Sequence, residues 1–509
     1  MEKVFNKLKS EQYRLPFMSA VIIGLITHMV MLVNKLPNGD SMTNFYFDQN
    51  MVTSGRWFLI VACGISSFFD LNMVNGLLAI LFLAVSAVYV TRFFDIKTKY
   101  GNILIPAVMM TFPAVAATMS YMYTVDGYML GLLLAIGAAY ITKKRKYGFL
   151  VGAVFLAFSV GTYQAYLAVT ILLAVFDLLL GIVENEKIAL LWNRAWKYLA
   201  MGILGGGLYY GILKLCLLLE HKELDTYQGI NEMGKISVSA LPEILKGIYV
   251  DFGAFALRGQ VFVNNGLSMV LMIMILAECF ISVVVLVIKS ESYKKWYNWL
   301  LFGFFILTLP ISCNFILLMS SKAEYHLLMR MQWGLFIVIA VVLAERFISY
   351  IETKQEKMKF AKVISILLVS VLCYNFFLAD NIAYFNLNEK YEKTYAYCVR
   401  LVDRIEQTEG YYPGIPICMV GVVSEESYPP TDITGHVTAR ISGTNGDFLL
   451  YRGEQYHEFI KNYLGVTLNI LTGDNVIDMY YSDEYMEMET FPAEGSIRIV
   501  DGIMYIKLE

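Results

Sequence analysis

The sequence predicts a mainly α-helical membrane protein of about eleven spans, closed by a small α/β domain at its C-terminal end. Three observations carry that expectation. Of 509 residues, 57% are hydrophobic and only 16% charged, with a mean hydropathy of +0.56, whereas soluble domains carry nearer a quarter charged residues. The apolar residues gather into long runs, each near the roughly 20 residues that cross a bilayer as a helix. From about residue 380 those runs stop, and the chain turns polar and aromatic.

The length criterion places spans at 17–34, 73–93, 102–121, 125–142, 148–162, 165–182, 198–219, 264–288, 298–319, 333–349 and 361–379. The fifth and sixth are parted only by GTYQAYLA. The basic N-terminal stretch MEKVFNKLKSEQYRLPF precedes an apolar run without a small-residue cleavage site, so it reads as leading into a retained helix. Lys and Arg then set the orientation. One set of connections holds Lys3, Lys7, Lys9 and Arg14, then Arg92, Lys97 and Lys99, then Lys143 to Lys146 with Arg145 among them. It continues with Lys187, Arg194, Lys197, Lys289, Lys294, Lys295, Arg346, Lys354, Lys357, Lys359 and Lys362. The other set is poorer, with Lys35, Arg56, Lys222, Lys235, Lys246, Arg258, Lys322 and Arg330. The N-terminus is therefore expected in the cytoplasm and, after eleven spans, the C-terminal domain outside a bacterial plasma membrane.

Composition divides the chain into a polytopic part, 1–379, and an extracytoplasmic α/β part, 380–509. In the latter, NEKYEKTYAYCVRLVDRIEQ (388–407) reads as an amphipathic helix and IPICMVGVV (415–423) as a buried strand. SIRIVDGIMYIKL (496–508) reads as a hairpin around Asp501-Gly502. Turn signals YYPG, SYPP, GTNG and LTGD lie between. The stretch VSALPEILKGIYVDFGAFALRG (238–259) has one apolar face. It suits either the membrane interface or a connector packed on its own protein.

The net charge of −3 says nothing about nucleic acid, and no basic tail suggests such a partner. The seven cysteines show no CxxC and no metal-like spacing. Five lie in apolar runs, while Cys398 and Cys418 lie in the polar tail and are open to pairing.

The first loop, NGDSMTNFYFDQNMVTSGRW (38–57), holds Asp40, Asp48, Arg56 and Trp57 between two spans. Other connections on the same side add Tyr123 and Asp126, Tyr163 and Gln164, Arg258, and His326 with Arg330. Carboxylates there suit a general base toward a sugar hydroxyl, arginines a phosphate, and aromatic faces a sugar ring. Each has a plainer reading. Asp40 suits a turn cap, Asp48 a solvated loop, Arg56-Trp57 an interface anchor, Asp126 a helix N-cap, and Arg330 a snorkelling side chain.

An acidic outer loop ending in Gly55-Arg56-Trp57, many further spans and an α/β tail together resemble the Gtr-type glucosyl transferases of the GT-C superfamily. The resemblance implies a polyprenyl-phosphate sugar as donor, a cell-surface polysaccharide or glycolipid as acceptor, and transfer at the outer face with inversion. It points to a first-loop acid as base, Asp40 before Asp48, and to Arg56, Arg258 and Arg330 at the donor phosphate. No DxD pair occurs in the loop, and neither a metal nor a bound cofactor is expected. Two other readings compete, a transporter or flippase of lipid-linked oligosaccharides, and a polysaccharide polymerase or ligase.

Overall fold

The computed structural model describes residues 10–508 except 44, 233–238, 259–265, 321–323, 352–354, 422–436, 439, 447–448, 451–452, 472–475 and 477–481. All eleven expected apolar segments fall on helix. In chain order the helices are α1 (Glu11–Val33), α2 (Leu59–Gly64), α3 (Asn72–Phe93), α4 (Lys99–Thr111), α5 (Pro113–Met119), α6 (Val125–Lys144) and α7 (Gly148–Thr162). They continue with α8 (Leu167–Val183), α9 (Ile188–Glu220), α10 (Leu241–Arg258), α11 (Gly266–Lys289), α12 (Trp296–Cys313), α13 (Phe315–Met319), α14 (Gly334–Ile351) and α15 (Gln355–Glu406). Nine helices among the described residues are long and apolar enough to cross a membrane. The other two expected spans differ: α4 and α5 form a pair bent by 47°, and α7 has only 15 residues. The chain is thus a multi-pass membrane protein. Helix α1 packs on α3 and α4, α6 on α3 and α7, α9 on α7, α12 on α8, and α11 on α14.

The bend between α4 and α5 falls where Pro113 lacks the N–H that would continue the ladder. In a bilayer the freed backbone groups need partners from neighbouring helices. His28 of α1 supplies one, with Nε2 2.9 Å from the Met110 carbonyl. A carbonyl only accepts, so Nε2 carries the proton. In the neutral ring Nδ1 then accepts from the Tyr384 hydroxyl of α15 at 2.6 Å. Three helices meet at this one imidazole.

At the bundle end away from the first loop, the cations sit on acids. Asp177 is 2% exposed, and it receives Lys143 at 2.7 Å, Arg194 at 3.4 Å and the Tyr198 hydroxyl at 3.0 Å. Arg194 also holds Glu186, Arg346 pairs with Glu184, and Lys144 with Asp95.

Helix α10 packs on its own protein along one face, and Tyr249 and Val250 are exposed on another. Ile248 and Phe255 are buried, and the Phe255 and Trp333 ring centroids are 3.7 Å apart. Its apolar face lies against α14 through Phe252 and Phe336.

Helix α15 runs for 52 residues straight through the expected boundary at 379/380 and includes the helix expected at 388–407. No Gly or Pro interrupts it, so nothing in the backbone stops it where the composition changes. After it come β1 (Pro416–Val420), α16 (Gly453–Phe459), β2 (Asn469–Ile470), α17 (Asp483–Met486), β3 (Ile497–Val500) and β4 (Ile503–Lys507). The sheet order is β2-β1-β4-β3, with β1 parallel to both neighbours. The β3–β4 hairpin turns at Asp501 and Gly502, both at positive φ (50° and 78°), as a type I′ turn requires. Strand β1 covers the middle of the strand expected at 415–423; SYPP lies outside the described residues. Cys398 and Cys418 are buried free thiols.

Replacing His28 with Leu leaves the Met110 carbonyl and the Tyr384 hydroxyl unpaired, at a cost of about 2–4 kcal/mol. We expect a clear fall in the thermal unfolding midpoint in detergent, with a change at the exposed Glu409, Glu409→Gln, shifting it little.

Candidate active site

The first loop begins with a self-capped turn. Asn38 Oδ1 accepts from the backbone N–H of Asp40 (3.0 Å) and Ser41 (2.8 Å), and Ser41 Oγ accepts from Asn38 N–H at 2.8 Å. The capping oxygen is therefore that of Asn38, and Asp40 is exposed beside it. Asn38 Nδ2 also donates to the Ser120 carbonyl at 2.8 Å. That bond ties the turn to the α5–α6 connection, which carries Tyr121 and Tyr123.

Tyr123 reports what gathers there. Its phenol is pushed well above the usual range by burial first, then by the Asp40 carboxylate and the neighbouring tyrosines Tyr128 and Tyr121, while Arg56 pulls it down. Arg56 Nη1 is 3.3 Å from the Tyr128 hydroxyl, and its guanidinium lies 5.0 Å over the Tyr163 ring. Tyr128 and Tyr163 stack at 4.8 Å. Asp40, Arg56, Tyr123 and Tyr163, expected as site residues, thus share one patch with Tyr128.

The rest of Gly55-Arg56-Trp57 is a buttress. Gly55 has φ +76°, and a Cβ there would stand 2.6 Å from Gln164 Nε2 and 2.7 Å from the Tyr209 hydroxyl. Gln164 donates to the Ser54 carbonyl at 2.8 Å, and Tyr209 to that of Gly55 at 3.1 Å. Trp57 packs edge-on to Phe158, against Gly161. Gln164 and Trp57 therefore hold the turn that presents Arg56.

Asp48 and Asp126 stand apart from the patch. Asp48 is exposed and accepts from Asn50 N–H at 3.1 Å, a surface turn. Asp126 is fully buried in the first turn of α6, next to Cys63 and Ser66, where a carboxylate suits the helix dipole.

His326 and Arg330 face a second feature, a polar cavity of about 600 Å³ lined also by Asp251, Tyr325, Arg440, Ser442 and Asn445. Arg330 holds Asp251 bidentately at 2.8 and 3.1 Å and donates twice to the Tyr325 carbonyl. Its guanidinium lies 3.7 Å over the Tyr325 ring, and Asn314 Nδ2 adds a third contact to Asp251 at 3.0 Å. Most of Arg330's five donors are thereby committed. Arg330 organises the cavity floor more than it offers an open fork. His326 Nε2 lies 3.4 Å from Glu324. Arg258 closes α10, but its side chain lies outside the described residues.

A third wall, which sequence reasoning missed, comes from the C-terminal part. Asn386 Nδ2 of α15 donates to the Thr444 carbonyl at 2.7 Å, and Lys390 Nζ to that of Asn445 at 2.7 Å. Gly443 has φ +83°, and a Cβ there would meet Ser120 Oγ at 2.0 Å. The Ser120 hydroxyl lies 3.2 Å from the Ser442 carbonyl. One connection, 120–124, thus touches the Asp40 turn on one side and the cavity wall on the other. GTNG was legible as a turn; its partner was not.

Behind α10 lies an apolar cavity of about 290 Å³, lined by Phe176, Phe252, Phe255, Met272, Phe302 and Phe336 among others. Gly247, Val250, Asp251 and Ala254 face the polar cavity, while Phe252, Phe255 and Ala256 face the apolar one. These are the i, i+3, i+4 rows of two faces of one helix.

The fold and these cavities define a multi-pass membrane protein with a polar, cation-bearing recess at one end of its helical bundle. Residues 29–344 match the family described as Glucosyl transferase GtrII, and the chain belongs to that family. No curated protein and no solved structure matches it. Membership supports glycosyltransferase activity, and with it a sugar donor and an acceptor as partners. The matched stretch includes every expected site residue and ends before α15, so Arg440, Ser442 and Asn445 lie beyond it.

Where the first loop meets the C-terminal part, Lys35 Nζ lies 3.3 Å over the Phe45 ring and 5.8 Å from that of Tyr463. Asp70 lies nearby, with one carboxylate oxygen buried and unpartnered among the described residues. Burial raises its carboxyl to about 6 against the pull of Lys35. A raised folded-state value means the native state binds the extra proton, so this group's contribution falls as pH rises from about 4 to about 6. Asp70→Asn should therefore raise the thermal midpoint at pH 7.5 and leave it nearly unchanged at pH 4, and it should flatten the intervening slope.

Proposed function

We propose that the protein transfers a glucosyl residue from a polyprenyl-phosphate sugar to a cell-surface polysaccharide or glycolipid, with inversion. Transfer takes place at the outer face of a bacterial plasma membrane. The observation that supports this most is the pair of cavities on two faces of α10. A lipid-phosphate sugar has the same two parts, a charged head and an apolar tail. The surplus of Lys and Arg on the other side of the bundle supports an outward site and a cytoplasmic N-terminus.

In the proposed step Asp40 accepts the proton of the acceptor hydroxyl. The oxygen attacks the anomeric carbon, the bond from that carbon to the phosphate oxygen breaks, and the lipid phosphate leaves with the electron pair. Cationic side chains stabilise the charge on that leaving group. Half-buried Tyr123 offers a surface for a sugar beside the base, with Tyr128 and Tyr163 buried and stacked on each other behind it. Asp40 is favoured over Asp48 because its charge is near enough to raise the Tyr123 phenol, whereas Asp48 closes a surface turn.

The test is transfer by purified protein in nanodiscs from radiolabelled polyprenyl-phosphate glucose to host polysaccharide. Asp40→Asn should lower turnover about a hundredfold or more while lipid-phosphate binding persists. Full activity in that variant would remove Asp40 as base. A wild type that moves lipid-linked sugar across vesicles without consuming it would replace the transferase with a transporter.

A further inference from the structure

The polar cavity contains three basic side chains that differ in what they have left to offer. Arg330 spends its fork on Asp251 and the Tyr325 carbonyl, and the Arg330–Asp251 pair adds no net charge. His326 lies beside Glu324. Arg440 is exposed at the cavity and has neither a carboxylate nor a hydrogen-bond partner among the described residues. Next to it Ser442 is only 8% exposed, lines the same cavity, and has an Oγ with no hydrogen-bond partner among the described residues. Buried hydroxyls are normally satisfied, so an enclosed and unpaired one beside an uncommitted guanidinium indicates a missing acceptor.

The segment that carries both is well anchored. Asn386 and Lys390 hold it by the carbonyls of Thr444 and Asn445, and Gly443 fits against Ser120 with no room for a side chain. Such anchoring fixes the backbone beside Arg440 before a ligand arrives, which lowers the entropy lost on binding.

We propose that the 440–445 segment of the C-terminal part belongs to the donor site, and that Arg440 holds the phosphoryl group of the lipid-linked donor, with Ser442 donating to it. This rests on the transferase reading above. A phosphodiester carries one negative charge and several strong acceptors, which suits the Arg440 guanidinium and the Ser442 hydroxyl. The apolar cavity across α10 supplies room for the lipid attached to such a phosphate. The carbohydrate acceptor is the other possible source of an anion, through an acidic sugar.

The experiment measures binding of sugar-free polyprenyl phosphate and of the uncharged polyprenol to full-length protein in nanodiscs. It compares wild type, Arg440→Ala, Arg440→Lys and Ser442→Ala, each checked for an unchanged thermal midpoint. Arg440→Ala should weaken polyprenyl-phosphate binding tenfold or more and leave polyprenol binding unchanged. Arg440→Lys should recover part of the loss, and Ser442→Ala should show a smaller one. In transfer assays the donor KM should rise with little change in kcat. Equal phosphate-lipid affinity in wild type and Arg440→Ala would overturn the proposal while leaving the transferase standing. So would a variant whose acceptor KM alone rises, which would give the anion to the acceptor. A wild type that binds no polyprenyl phosphate would overturn the donor reading itself.

Discussion

The bidentate pair between Arg330 and Asp251 is the contact on which the site's geometry depends. It joins α10 to the short connection before α14, and both cavities lie on the two sides of that junction. Both side chains are largely enclosed, at 11% and 26% exposure, so each charge is stabilised chiefly by the other. Losing one partner would leave the other partly buried and uncompensated, which costs more than the pair contributes net. Tyr325 reinforces the junction through its ring, under Arg330, and through its hydroxyl, which receives Gln332 at 2.7 Å.

A second constraint is the economy of the 120–124 connection. Ser120 accepts from Asn38 and lies against the Ser442 carbonyl, so the turn bearing Asp40 and the wall bearing Arg440 share one anchor. The C-terminal part adds further contacts to the first loop, from Gln455 to the Gly39 carbonyl and from Asn462 to that of Met42. That part is therefore tied to the first loop at several points, and the unbroken α15 connects it to the bundle.

Several polar groups inside the bundle supply partners that lipid cannot. His28 serves the bend at Pro113, and Asp177 collects cations where several helices end. Ser159 and Thr170 cap this logic on a smaller scale, donating across helices to the carbonyls of Gly131 and Ala135. None of these groups lines the polar cavity, so they account for the architecture of the bundle.

Hydropathy and chain breaks are local properties, and they determined the helical membrane class, the eleven apolar segments that fall on helix and the Asp501-Gly502 hairpin. They also singled out Asp40, Arg56, Tyr123 and Tyr163, because loops on one side of a bundle must lie near one another. The tertiary structure decided which of those residues meet. It separated Asp48, Asp126 and Trp57 from the patch, engaged Arg330 with Asp251, and carried α15 through a boundary that composition alone had drawn. It also brought Arg440 and Ser442 to a cavity whose other walls lie more than a hundred residues earlier in the chain. Hydrogen bonds such as Asn386 to Thr444 and Asn38 to Ser120 depend on how helices pack, and a pattern read along one chain carries no trace of which distant carbonyl a side chain will find.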